Sequence, residues 1–214
     1  MTIGAVPPGP LGREVAEHAT YALQRVLALL LLVLGAPVLL AVALLVGLTS
    51  RGPVVYRQTR VGRFGRHFTI LKFRTMRAGA DHELLALLAL QGRTVTPFVK
   101  LDHDPRVTAV GRWLRRLSID ELPQLWNVVR GDMALVGPRP QTPQEVATYD
   151  DTTWRRLLAR PGVTGLWQVS GRSDLSPTEG LALDDEYVRS WSPLLDARVL
   201  LRTAAVLVTQ RGAR

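Results

Sequence analysis

The chain has 214 residues, enough for one domain with a real hydrophobic core and too few for a second catalytic domain. Lys and Arg number 27 against 18 Asp and Glu, and the formal charge of +9 points to anionic partners: phosphates, acidic lipid surfaces or nucleic acid. With no cysteine, a disulfide frame, a thiolate nucleophile and a Cys-based metal site are excluded. Lys72 and Lys100 are the only lysines; the arginine excess suits phosphate recognition, although the abundance of Ala, Leu, Gly and Pro also fits codon bias.

Residues 1–20 contain Pro7, Pro8 and Pro10 with little apolar pattern and read as a flexible lead-in. From Val26 to Ser50 the chain carries no charge, and about 20 apolar residues suffice to cross a bilayer core. The run is too long for the apolar core of a signal peptide, and no cleavable motif precedes Arg51. Pro37 deletes a backbone donor near its middle, so a kinked span and a re-entrant hairpin bending at Gly35-Ala36-Pro37 both fit. Arg51, Arg57, Arg60, Arg63 and Arg66 follow the segment, while Arg25 and Arg13 precede it. With both flanks basic, the positive-inside tendency favours entry and exit on one face.

The soluble part, residues 51–214, opens with "PVVYRQTRVGR" and "HFTILKFRTM", whose alternation around Gly62 and Gly65 predicts a hairpin carrying Lys72 and Arg74. Helices are predicted for "HELLALLALQG", "VTAVGRWLRRL" and "DELPQLWNVVRG". "DMALVGPRP" is an apolar run closed by a turn that presents Arg139 between two prolines. A further helix is expected around Pro143 to Arg160, followed by strand and loop over "RPGVTGLWQVSGRSD". Ser176-Pro177 and Ser192-Pro193 each read as N-cap plus first helical position. The last helix, "LLDARVLLRTAAVLV", is apolar enough to lie on protein or at the membrane interface.

Chemistry concentrates in Ser118-Ile119-Asp120-Glu121, just after Arg115 and Arg116. Ser at N-cap with Glu three residues on is the pattern of a capping box, a structural device that leaves Asp120 unassigned. The same helix end would attract a phosphate, which Asp120 could attack while Glu121 holds Mg²⁺. Adjacent carboxylates on a helix point about 100° apart, which disfavours a glycosidase pair flanking one bond. His18, His67, His82 and His103 lack metal-binding helical spacing, and Asp102-His103-Asp104-Pro105 reads as a polar turn before a metal site. The five tryptophans are scattered, as core or membrane-interface residues are.

Three stretches in order, "RQTRVGRFGRHFTILKFRTM", "LRRLSIDELPQLWNVVRGDMALVGPRP" and "RPGVTGLWQVSGRSDLS", resemble the monotopic phosphoglycosyl transferases among the bacterial sugar transferases. The resemblance runs from about Arg25 to the C-terminus. It implies an α+β, mainly α fold: a re-entrant membrane helix (21–50) broken at Pro37, packed on a small cytoplasmic domain with a short hairpin and interfacial helices. It further implies transfer of a sugar 1-phosphate from a UDP-sugar to polyprenyl (undecaprenyl) phosphate, with release of UMP, at the start of exopolysaccharide or other glycan assembly. By motif, Asp120 would be the nucleophile and Glu121 the Mg²⁺ partner, with Lys72, Arg115 and Arg139 on phosphate and Arg172 on the nucleotide. The partners implied are inner-membrane lipid and a possible second copy, without nucleic acid. Ala36 replaces a frequent Ser, and Leu117 a frequent small polar residue, neither in the proposed chemistry. The rival reading is a non-enzymatic basic module, anchored by residues 26–50, that docks on anionic lipid or nucleic acid.

Overall fold

The computed structural model describes residues 11–77, 79–92, 101, 104–171 and 175–209. Its first element, α1 (Leu11–Thr49), is a 39-residue helix. It therefore begins ten residues before the end of the expected lead-in, because the stretch from Leu11 to Thr20 lacks proline and continues the helix. Pro37 stands inside an unbroken run of helix, with no gap at Gly35-Ala36-Pro37. From Arg13 to Thr49 the helix is long and apolar enough to cross a membrane, and only 11% of its most apolar window is buried. Leu34, Leu40 and Leu48 are among the many apolar side chains left exposed. Such a surface calls for lipid rather than water.

One stripe of α1 is buried: Tyr21, Gln24, Ala28, Val42 and Val46 fall at helical spacing. The N-terminal half of the stripe joins the main core, where Ala28 meets Val128, Val136, Tyr187 and Val199. The C-terminal half joins a second cluster, in which Val42 and Val46 pack with Phe73 and Leu114. Both halves thus rest on one globular body. Arg74 closes the junction by donating Nη2 to the carbonyls of Ser50 at 2.6 Å and Val46 at 3.3 Å at the C-terminal end of the helix.

Strands β1 (Val55–Val61) and β2 (His67–Phe73) form the expected antiparallel hairpin, with Tyr56 opposite Lys72 and Arg60 opposite Phe68. Next come α2 (Leu84–Leu90) and α3 (Ala109–Arg116), the latter capped by Thr108, whose Oγ1 accepts from Gly111 N at 2.9 Å. At Gly111 a Cβ would stand 2.0 Å from the Thr75 carbonyl oxygen, so only glycine lets α3 lie this close behind β2. A 3₁₀ turn (Ile119–Glu121) leads to α4 (Gln124–Arg130) and β3 (Ala134–Val136). Asn127 of α4 is fully buried and pairs with the free edge of β2 as a strand would: its Oδ1 accepts from Leu71 N at 3.0 Å, and its Nδ2 donates to Thr69 O at 2.7 Å.

The helix expected from Pro143 to Arg160 is instead α5 (Pro143–Val146) and a separate 3₁₀ stretch (Thr153–Leu158). Asp150 divides them: its carboxylate accepts from Thr152, Thr153 and the Thr153 amide, a local network that competes with helix. The expected strand and loop after Arg160 is half correct. β4 (Gly162–Thr164) pairs in parallel with β3, but Leu166–Ser170 forms a short helix, α6. The final helices, α7 (Pro177–Ser190) and α8 (Pro193–Thr209), start where the Ser-Pro pairs place them. α8 buries Val199 in the main core and exposes Leu201.

Candidate active site

The Ser118–Glu121 stretch is not a capping box. Ser118 adopts the left-handed conformation (φ 55°, ψ 21°), makes no cap hydrogen bond to the turn, and reverses the chain after α3. The next α-helix waits until Gln124, and its seven residues offer no N-terminal phosphate site at Asp120. Glu121 turns to cations instead: its Oε1 accepts from Lys72 Nζ at 2.7 Å and lies 3.7 Å from Arg139 Nη1. Lys72 comes from β2, Arg139 from the loop after β3, and Glu121 from the 3₁₀ turn.

Asp120 is buried, at 8% exposure. Burial, followed by the charge of Glu121, pushes its carboxyl above the usual range, while Lys72 and Arg115 pull it down. Lys72 shifts below the usual lysine range, chiefly by burial, with Glu121 opposing. Arg115, in the last turn of α3, donates Nε to Thr75 Oγ1 at 2.9 Å and faces Asp120 electrostatically. Four of the residues singled out by sequence, Lys72, Arg115, Asp120 and Arg139, thereby surround Glu121 or each other. Arg172 lies outside the described residues, as do Asp102 and His103, while Asp104 is held by the Arg106 guanidinium at 2.7 Å.

A cleft opens between Lys72, Glu121 and Arg139, and Arg60, Gln124 and Gln168 also line it. Arg60 was legible only as a basic flank of the membrane segment. The hairpin register carries the missing signal, since even-numbered residues of β1 and β2 share a face and so put Arg60 with Lys72. Burial and then the Arg139 charge lower its affinity for a proton. Lys72 and Arg139 thus share the Glu121 carboxylate while Arg60 lies 3.5 Å from Glu145 Oε2, and this row of cations along the cleft suits a bound phosphate. Arg139 also stacks over the buried Trp167 ring, 5.4 Å from its centroid. The tryptophans divide accordingly: Trp167 is core, whereas Trp113 and Trp126 are about half exposed.

For a divalent cation, the described residues contain no group of three or more His, Cys, Asp or Glu ligands. Glu121 lines the cleft and offers one carboxylate there, and Mg²⁺ commonly takes one or two carboxylates and draws its other ligands from phosphates and water.

A family model described as bacterial sugar transferase matches residues 15–210. The chain is 44% identical over 164 residues to the galactosyl transferase CpsE of Streptococcus agalactiae, covering 76% of this chain and 36% of that protein. To the exopolysaccharide production protein ExoY of Rhizobium meliloti it is 39% identical over 204 residues, 94% of this chain and 90% of the relative. To the UDP-glucose:undecaprenyl-phosphate glucose-1-phosphate transferase of Caulobacter vibrioides it is 42% identical over 219 residues, 97% of this chain and 76% of the relative. The chain therefore spans about a third of the length of CpsE and most of ExoY.

Proposed function

Because the chain belongs to the bacterial sugar transferase family, we propose that it moves a hexose 1-phosphate from a UDP-sugar to polyprenyl phosphate and so starts assembly of an exopolysaccharide or related glycan. The names of the relatives, which include undecaprenyl-phosphate galactose and glucose transferases, support the substrate class. The observation that carries the mechanism is a buried carboxylate, Asp120, beside a second one gripped by Lys72 and Arg139.

In the first step an Asp120 oxygen attacks the phosphorus that bears the sugar. The bond from that phosphorus to the bridging oxygen breaks, and UMP leaves with the electron pair. In the second step an oxygen of polyprenyl phosphate attacks the same phosphorus and displaces Asp120, giving polyprenyl diphosphate sugar and the free carboxylate. No proton is gained or lost in the exchange. An anion attacking an anion needs cations around the phosphoryl oxygens. Lys72, Arg139 and Arg60 supply them along the cleft, and Arg115 stands beside Asp120. Glu121 keeps Lys72 and Arg139 in register and would hold Mg²⁺, which adds further charge neutralisation when bound.

We further infer that α1 enters and leaves the bilayer on the cytoplasmic face, bending at Pro37 without breaking its helical run. Support comes from both of its halves packing on one body: Arg25 Nε donates to Val129 O at 2.9 Å, and Arg74 holds the Ser50 end. Since the chain has no cysteine, Ala19→Cys and Arg51→Cys can each be probed with an impermeant thiol reagent on intact cells. Both should stay unlabelled until the membrane is opened, and labelling of either one alone would mean a spanning helix.

The catalytic reading is tested by giving the detergent-solubilised protein a labelled UDP-hexose and Mg²⁺ without polyprenyl phosphate. Up to one equivalent of UMP should appear, with the sugar phosphate retained on Asp120 by peptide mapping. Turnover on adding acceptor without any adduct would mean direct transfer, and no UMP from any UDP-hexose would favour the basic membrane-anchored module.

A further inference from the structure

Pro138 and Pro140 bring no N–H to the loop that carries Arg139, so it cannot be knitted by its own backbone. Four donors from elsewhere take its successive carbonyls. Gly162 N donates to Pro138 O at 2.9 Å, Arg156 Nη2 to Arg139 O at 2.7 Å, Arg60 Nη1 to Pro140 O at 3.1 Å, and Val61 N to Gln141 O at 2.9 Å. Arg156 differs from the other three because it is a buried charge, 2% exposed, that does not line the cleft. Its Nε and Nη2 donate to Asp184 Oδ2 of α7, itself 1% exposed. Its Nη1 donates to the Tyr149 hydroxyl, which in turn donates to Gln141 Oε1. One guanidinium therefore meets the loop twice, directly at Arg139 and through Tyr149 at Gln141.

A buried ion pair is weak evidence for stability, since well-packed apolar residues of similar volume often serve as well or better. Geometry is a better account of this one. The Arg139 side chain is held between the Trp167 ring and a 3.7 Å approach to Glu121, and a shift of its backbone by an ångström would disturb both. We propose that Arg156, clamped by Asp184, is a positioning residue: it fixes the 137–141 loop so that Arg139 faces Glu121 and, on the transferase reading above, the phosphates of the substrate.

The test is a double-mutant cycle in which Arg156→Met plus Asp184→Leu replaces the pair by apolar side chains, with and without Arg139→Ala. In the wild-type background the replacement should lower kcat for UMP release about 10- to 100-fold, the cost of misplacing one group by about an ångström. In the Arg139→Ala background it should cost less than about 3-fold, because both changes then remove the same interaction. Equal losses in the two backgrounds would mean that Arg156 does not act through Arg139. Hydrogen exchange over residues 137–142 gives a second readout that needs no turnover: the replacement should speed it, and unchanged exchange would overturn the proposal. Should the replaced protein fail to fold, Tyr149→Phe runs the same cycle with the ion pair intact, and additive effects would again count against it. A wild-type protein that releases no UMP would end the transferase reading, while the exchange measurement would still decide the role of Arg156.

Discussion

Ser118-Ile119-Asp120-Glu121 and Ser176-Pro177-Thr178-Glu179 share the same pattern of Ser and Glu three residues apart, yet they end in different structures. At Ser176 the reciprocal bonds form: the hydroxyl accepts from Glu179 N at 3.3 Å, and the Glu179 carboxylate accepts from Ser176 N at 2.8 Å. At Ser118 the backbone is left-handed and Glu121 reaches Lys72. The first site is solvent-exposed, so nothing competes for its carboxylate. The second lies where Lys72 and Arg139 converge, and a charged partner out of full water contact is worth more to a carboxylate than a backbone amide. A local motif holds only until a stronger distant partner comes within reach.

The largest effect expected from this contrast is at Asp120. Asp120→Asn should lower turnover by at least about a thousandfold, since an amide cannot attack phosphorus as a carboxylate does. The same change should raise the melting temperature at neutral pH. The folded pKa of Asp120 is shifted up, so its stabilising contribution is complete below the unfolded value, near 3.8, and is lost as pH rises through the higher folded value. Thermal melts of the two proteins at pH 7 check this; a less stable Asp120→Asn protein would contradict the upward shift. Removing a buried functional charge commonly trades activity for stability in this way.

Glu121→Gln comes next. It breaks the 2.7 Å contact with Lys72 and leaves that amine without its carboxylate. Turnover should fall on the order of 100-fold, as for loss of a group that organises charge at the reacting centre. Stability should fall by about 1–3 kcal/mol in a urea titration. Glu179→Gln should leave turnover unchanged, and a matching loss there would erase the distinction between the two sites.

The pH dependence of turnover sharpens the comparison further. Asp120 must be ionised to attack, so the acidic limb of kcat/KM should have its midpoint above 3.8, the ordinary value from which burial and Glu121 raise it. Glu179 shifts the other way, held down by the Ser176 hydroxyl and amide. Its contribution to stability is present above its unfolded pKa and is lost as pH falls through the lower folded value. A midpoint at or below 3.8 would remove the burial effect from Asp120.

The smallest effects concern the two serines. Ser176→Ala should cost about 1 kcal/mol, as the loss of an N-cap does, without altering turnover. Ser118→Gly should stabilise by a few tenths of a kcal/mol up to about 1 kcal/mol, because glycine adopts positive φ without a Cβ penalty. A Ser118→Gly protein destabilised as much as Ser176→Ala would restore the capping box at both sites.

Much of the fold was determined by sequence because its causes are local. Alternation and the glycines after Val61 define the hairpin, the Ser-Pro pairs start α7 and α8, and an uncharged run from Val26 to Ser50 makes a helix that belongs in lipid. Asp120, Glu121, Lys72, Arg115 and Arg139 were legible as candidate site residues, from charge and motif. Their partners were not. Glu121 meets Lys72 across 49 positions, and Arg156 meets Arg139 and Asp184 across 17 and 28. No propensity or spacing encodes such pairs, which exist only once the elements pack. Nor did sequence mark which stripe of α1 faces protein, because a helix apolar on every side carries no signal of its buried face. Tertiary packing chose the line through Tyr21, Ala28, Val42 and Val46, where the core offered close contact, and left Leu34 and Leu40 exposed.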